Sequence, residues 1–118
     1  MQHLLMPDLS KLIALFEAKA KATPRPKLVK VPPLEKPGAG RALPRDVREA
    51  AEQAFDADFS KVRVHEDPSV RTLGAKAYVS GHDIYFAPGA SNDKSLLAHE
   101  LAHVVQQRGV SKDGQGAI

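Results

Sequence analysis

Residues 96–107, LLAHELAHVVQQ, place His99, Glu100 and His103 in the spacing His-Glu-x-x-His. Residues four apart on an α-helix sit one turn apart on the same face, so both imidazoles can reach one ion. Neutral imidazole suits zinc. Glu100, projecting from the side of that face, is placed to hold a metal-bound water as general base rather than to ligate. Leu97, Leu101, Val104 and Val105 form a separate aliphatic stripe that fits a helix seated on a core. A solvated polar face would tolerate these residues without requiring them, and the zinc reading accounts for all three positions.

Two histidines hold zinc poorly, and a catalytic zinc normally has three protein ligands. The chain has no cysteine, so any further ligand must be His, Asp or Glu. Only fifteen residues follow His103, no Glu follows Glu100, and Asp113 is the one downstream carboxylate. The longer form of the motif needs Gly at 106 and His at 109, where this chain has Gln106 and Gly109. Upstream, the candidates are His65, Asp67, and the pair His82 and Asp83. Asp67 precedes Pro68 and reads better as a helix N-cap, and His82 reads better as an exposed turn residue. His65 closes an alternating stretch and fits either a ligand or a packing role.

Periodicity gives the elements that must position these groups. Residues 93–108 predict the site helix, capped by the Ser91-Asn92-Asp93 loop and closed by Gly109. AKAYVSGHDIYFAPG predicts a β-hairpin, with runs at 77–79 and 84–86 about a turn containing Gly81. FSKVRVHED alternates, with Val62 and Val64 on one side and Arg63 and His65 on the other, which is strand periodicity. A short helix through Val70 and Leu73 should stop at Gly74. A further helix should start near Pro44 and carry Val47, Ala50, Ala51, Ala54 and Phe55 on its apolar face.

Upstream lies a different kind of sequence. Residues 8–22 put Leu9, Leu12, Ile13 and Phe16 on one helical stripe, with Asp8 or Ser10 able to cap it. Such a helix is marginal alone and must dock, on the domain or on a partner. Residues 23–40 hold five of the nine prolines and predict a semi-rigid linker, so the expected organisation is an amphipathic arm over 1–22, a basic linker over 23–42, a core domain over 43–109 and a loose tail over 110–118.

At 118 residues the chain is one domain with an appendage, and a formal charge of +3 is mild. The basic residues of the first forty-five positions have a single aromatic among them, Phe16, which argues against nucleic acid. No apolar run approaches a membrane span, and Pro7 and Asp8 interrupt a start that lacks a basic n-region.

Together, FSKVRVHED, AYVSGHDIYFAPGA and LLAHELAHVVQQ, in that order over residues 43–108, resemble the core domain associated with extracellular contractile injection systems, a metallopeptidase-like domain of bacterial toxins and cargo proteins. The resemblance implies an α+β fold of minimal zincin-like form, a short hairpin or sheet beside the His-Glu-x-x-His helix. It also implies Zn2+ as cofactor, with His99 and His103 as ligands, His65 as the third, and Glu100 as catalytic base. The implied partners are components of a phage-tail-like particle or a larger effector, with no membrane insertion. The implied location is the bacterial cytoplasm before loading, with delivery outside the cell. Two activities fit. One is a small zinc peptidase that holds a peptide along the hairpin edge by strand addition; the other is a non-catalytic particle module with a structural or vestigial metal site.

Overall fold

The structure, a computed structural model, describes residues 9–107 and 115–118. Asp8 as a cap, Gly109 as a helix stop and Asp113 all lie outside the described residues. Three helices, α1 (Leu9–Ala22), α2 (Arg45–Phe55) and α3 (Lys94–Gln106), pack on a six-stranded sheet, giving an α+β fold. The strands are β1 (Leu28–Lys30), β2 (Arg41–Ala42), β3 (Arg63–Glu66), β4 (Ala77–Ser80), β5 (Asp83–Phe86) and β6 (Gln115–Ala117), in sheet order β1-β6-β4-β5-β3-β2. Among the described residues only the β3–β5 pair is parallel.

The sheet's pleat sorts the side chains. Val64, Ala77, Val79, Ile84 and Phe86 face the helices and share one core with Phe16, Val47, Ala50, Ala51, Leu97, Ala98, Leu101 and Val104. Their chain neighbours face the other way, where Tyr78, Val70 and Ala87 pack with Val31, Tyr85 and Ile118. The expected hairpin forms as β4 and β5, with Gly81 and His82 between them. Asp93 caps α3 by accepting from the Leu96 amide at 3.1 Å. Asp67 caps the short helix Pro68–Leu73, a 3-10 rather than an α turn, which ends at Gly74 with φ 68°.

Two expectations for the flanking segments need correction, and one left open is decided. Of the two surfaces open to the first helix it takes the domain: Phe16 is fully buried, and α1 packs on both α2 and α3. Ser10 falls inside the helix rather than at its cap. The tail is not loose throughout, because residues 115–117 form β6 between β1 and β4. Gly116 is required there, since a Cβ would meet the Tyr78 ring at 2.8 Å and the Val79 carbonyl at 2.9 Å.

The proline-rich segment is a strap rather than a linker. It leaves β1 at one edge of the sheet and enters β2 at the other, so residues 31–40 cross five inter-strand steps, about 24 Å at roughly 4.8 Å each. Ten residues reach that far only if nearly extended, about 31 Å as polyproline II, and Pro32, Pro33 and Pro37 favour that conformation. The strap crosses the face opposite the helices. Val31 packs there, and Gly40, at φ 74°, lies so close to His65 that a Cβ would sit 2.7 Å from the ring. Midway, Asp67 clamps the strap by accepting from the amides of Glu35 at 3.0 Å and Lys36 at 2.6 Å, while also accepting from Ser69 at 2.9 Å.

Burial pushes the Asp67 carboxyl up, but the donors of Ser69, Glu35 and Lys36 outweigh it and hold the pKa at about 2. A carboxyl whose folded pKa lies below its unfolded value stabilises the fold above the unfolded value and loses that stabilisation as pH falls through the folded one. The expected contribution is about 2 kcal/mol at neutral pH. Urea midpoints of the parent and Asp67→Asn should therefore differ at neutral pH and converge as pH falls from about 4 to about 2. A gap that does not change with pH would show that the clamp does not act through its charge.

Candidate functional site

The aliphatic stripe of α3 decides where its histidines go. With Leu97, Leu101 and Val104 buried against the sheet, His99 and His103 rise on the flank that meets α1. Their Nε2 atoms stand 2.9 Å apart, with the rings edge to face. His103 is 1% exposed and His99 is partly exposed, so the pair is open on the His99 side. Desolvation lowers both pKa values. For His99, the neighbouring His103 and Lys19 of α1 lower it further, while for His103 hydrogen bonds donated to Gln106 and to the Ile118 backbone act in the opposite sense. Both rings are thus favoured in the neutral form that a metal needs.

Glu100 is 2% exposed, its Oε1 has no hydrogen-bond partner, and burial pushes its pKa up to about 8. A buried carboxyl with an unpartnered oxygen calls for a compensating group, and a cation beside it would supply one. Two Zn–N bonds of about 2.0–2.1 Å at a tetrahedral angle set their nitrogens about 3.3 Å apart, so the histidine pair would need to open by only a few tenths of an ångström. The pair's geometry suits two of the four positions around a zinc ion.

The third ligand expected from the sequence is not with them. His65 follows Val64 in β3, and Val64 faces the helix layer, so His65 projects from the opposite face of the sheet. There its Nε2 bonds Asp83 Oδ1 at 2.9 Å and its ring stacks on Tyr85, which stacks in turn on Tyr78, with centroid separations of 4.4 and 4.8 Å. The sheet itself separates His65 from α3. Asp67 is committed to the strap and its own turn, His82 is exposed, and Asp83 belongs to His65. Among the described residues no three His, Asp or Glu side chains converge as a metal site.

The hairpin also lacks the free edge expected for strand addition. β4 pairs with β5 and β6, and β5 with β4 and β3, so the sheet's edges are β1 and β2. A small cleft of about 100 Å³ opens beside β2, over Leu43, Val47, Phe86 and Leu97, and no histidine lines it. Sequence reasoning also missed Gln106 and Thr23. Gln106 Oε1 lies 2.8 Å from His103 Nδ1, and Gln106 Nε2 donates to the Thr23 carbonyl at 2.9 Å. The signal for Gln106 was its position three residues after His103 on the same face; nothing local marks Thr23.

With the fold and the histidine pair in place, the comparison with protein families is decisive for residues 42–111, which match the eCIS core domain. The chain belongs to the eCIS core domain family. Membership associates it with contractile injection systems. Neither a curated protein nor a solved structure matched the chain. The eCIS core domain takes in β3, the hairpin and α3 with the histidine pair, whereas α1, β1 and β6 lie outside the matched residues. In this member the eCIS core domain is therefore completed by flanking chain: α1 against the site helix, and β6 and β1 extending the sheet from β4. Among the described residues no helix is long and apolar enough to cross a membrane.

Proposed function

We propose that this eCIS core domain is a zinc-dependent, metallopeptidase-like module of contractile injection systems, loaded in the bacterial cytoplasm, with His99 and His103 as metal ligands and Glu100 as general base. The observation that carries this reading is the 2.9 Å approach of two Nε2 atoms one helical turn apart. Zinc at that position would polarise a peptide carbonyl and acidify water. His99 and His103 would hold the ion and so fix the reacting centre on the rigid face of α3. Glu100 follows His99 directly and takes a proton from the attacking water at its carboxylate. For that it must be ionised. Its pKa of about 8 keeps it protonated at neutral pH until a cation held by the histidines draws it down.

Burial favours a second reading, a non-catalytic particle module with a structural or vestigial metal site. Glu100 and His103 are almost fully enclosed, and the described residues offer two ligands rather than three.

Glu100→Gln separates the readings, because Gln keeps the shape but cannot accept the proton. If the module is a peptidase, the variant keeps its zinc and its fold and loses cleavage of unstructured peptides. Cleavage equal to the parent's would remove Glu100 from the chemistry, and a parent that binds zinc without cleaving any such peptide would favour the particle module. Metal-free stability gives an independent check of the burial. The folded state holds the Glu100 proton up to about pH 8 while the unfolded state releases it near 4.5, so the parent should lose stability as pH rises across that window. Glu100→Gln should abolish that slope.

A further inference from the structure

We infer that Gln106 is the positioning residue of the histidine pair: it fixes the tautomer of His103 and makes it depend on the end of α1. The inference rests on the metal-binding reading for its purpose, though not for its geometry. The Gln106 side chain bridges two groups, and its orientation follows from one of them. The Thr23 carbonyl can only accept, so the atom facing it at 2.9 Å must be the amide nitrogen. The amide oxygen therefore faces His103 Nδ1 at 2.8 Å, and as an acceptor it requires a proton there. The Ile118 backbone also draws a His103 N–H, but the 2.8 Å Gln106 acceptor places the proton of neutral His103 on Nδ1 and leaves the Nε2 lone pair bare.

That lone pair points at His99 Nε2, 2.9 Å away, so His99 supplies the hydrogen of that contact. The two histidines are thus prepared differently. His103 presents a metal-ready nitrogen in the metal-free protein, while His99 must move or release its Nε2 proton before it can ligate. A partner that holds the second nitrogen of a ligating imidazole fixes both its tautomer and its ring orientation. Here the partner is anchored by the backbone at the C-terminal end of α1, outside the matched family residues. The chain that precedes the domain therefore sets the state of a ligand inside it.

The test uses the full chain labelled with 15N in its histidines. Long-range 15N–1H spectra of the metal-free protein read the His103 tautomer, and competition with a chromogenic chelator reads zinc affinity. In the parent, His103 should be in the Nδ1–H form. Gln106→Ala should mix the tautomers and weaken zinc binding about 10–100-fold. Gln106→Glu is the discriminating variant: its carboxylate still accepts from Nδ1–H, but it has no proton to give Thr23. It should keep the Nδ1–H form and hold zinc at least as well as the parent. The inference is overturned if Gln106→Ala leaves the tautomer unchanged. It is equally overturned if Gln106→Glu loses as much affinity as Gln106→Ala, which would make Gln106 a fastener for α1 alone. A parent that binds no zinc defeats the metal reading, and the metal-free spectra then still decide whether Gln106 sets the tautomer.

Discussion

If the histidine pair holds zinc as proposed, zinc content should fall from about one ion per chain to a trace in His103→Ala, and His99→Ala should behave alike. The described residues bring two imidazole nitrogens together, so removing either leaves one. The loss should exceed the roughly 10–100-fold expected for a partner that only orients a ligand. The two variants should differ in their effect on the fold. His103 is 1% exposed and holds Gln106, so His103→Ala leaves a cavity and an unpartnered amide oxygen, while His99 is partly exposed and has less to lose. Stranding a buried polar group costs about 1–3 kcal/mol. Metal content and thermal melts measured on the same samples separate the two effects. Zinc content unchanged in both variants would remove the histidine pair from metal binding.

Phe16→Ala should cost about 3–5 kcal/mol, the usual range for emptying a fully buried aromatic site. Against a total of about 5–15 kcal/mol for a small domain, that is enough to leave the chain partly unfolded under mild conditions. Phe16 begins a run of ring contacts that tie α1 to α2 and beyond: Phe16 to Phe55 at 6.2 Å between centroids, then Phe55 to Phe59 at 5.7 Å edge to face. With few aromatics in the chain, these rings supply much of the core's bulk. The urea midpoint should drop sharply, and because α1 carries the Thr23 carbonyl, zinc affinity should fall with it. A loss below about 1 kcal/mol would return α1 to the status of a detachable arm and would make deleting it tolerable.

The elements were legible wherever the signal was local. Asp93 before an apolar-periodic run marks the start of α3, Asp67-Pro68 marks a cap and first turn, and Gly81 between two alternating runs marks the hairpin. Each depends on contacts within a few residues, so composition and spacing encode it. The one-turn spacing of His99 and His103 is of the same kind, and their Nε2 atoms meet as that spacing requires. The error over His65 was also legible. If Val64 faces the same core as Leu97 and Leu101, strand alternation puts His65 on the far side of the sheet from α3, whatever motif it belongs to.

Other features could not be read locally. Residues 23–40 look like a linker because prolines favour extended backbone, and an extended segment is equally suited to strap a sheet from edge to edge. Which it does depends on Asp67, more than thirty residues away, presenting two acceptor oxygens to the Glu35 and Lys36 amides. Residues 115–117 have no core-forming pattern, and they become a strand because β4 offers a free edge and β1 returns to pair on the other side. The bond from Gln106 to Thr23 spans 83 positions. By itself the sequence determined the α3 site helix, its two converging imidazoles and the hairpin beside it, because helix and strand periods fix which side chains share a face. Tertiary structure alone decided that α1 packs against the helix carrying the pair, that the strap covers His65, and that Gln106 joins His103 to Thr23, because each depends on distant segments completing one another's hydrogen bonds and burying one another's apolar faces.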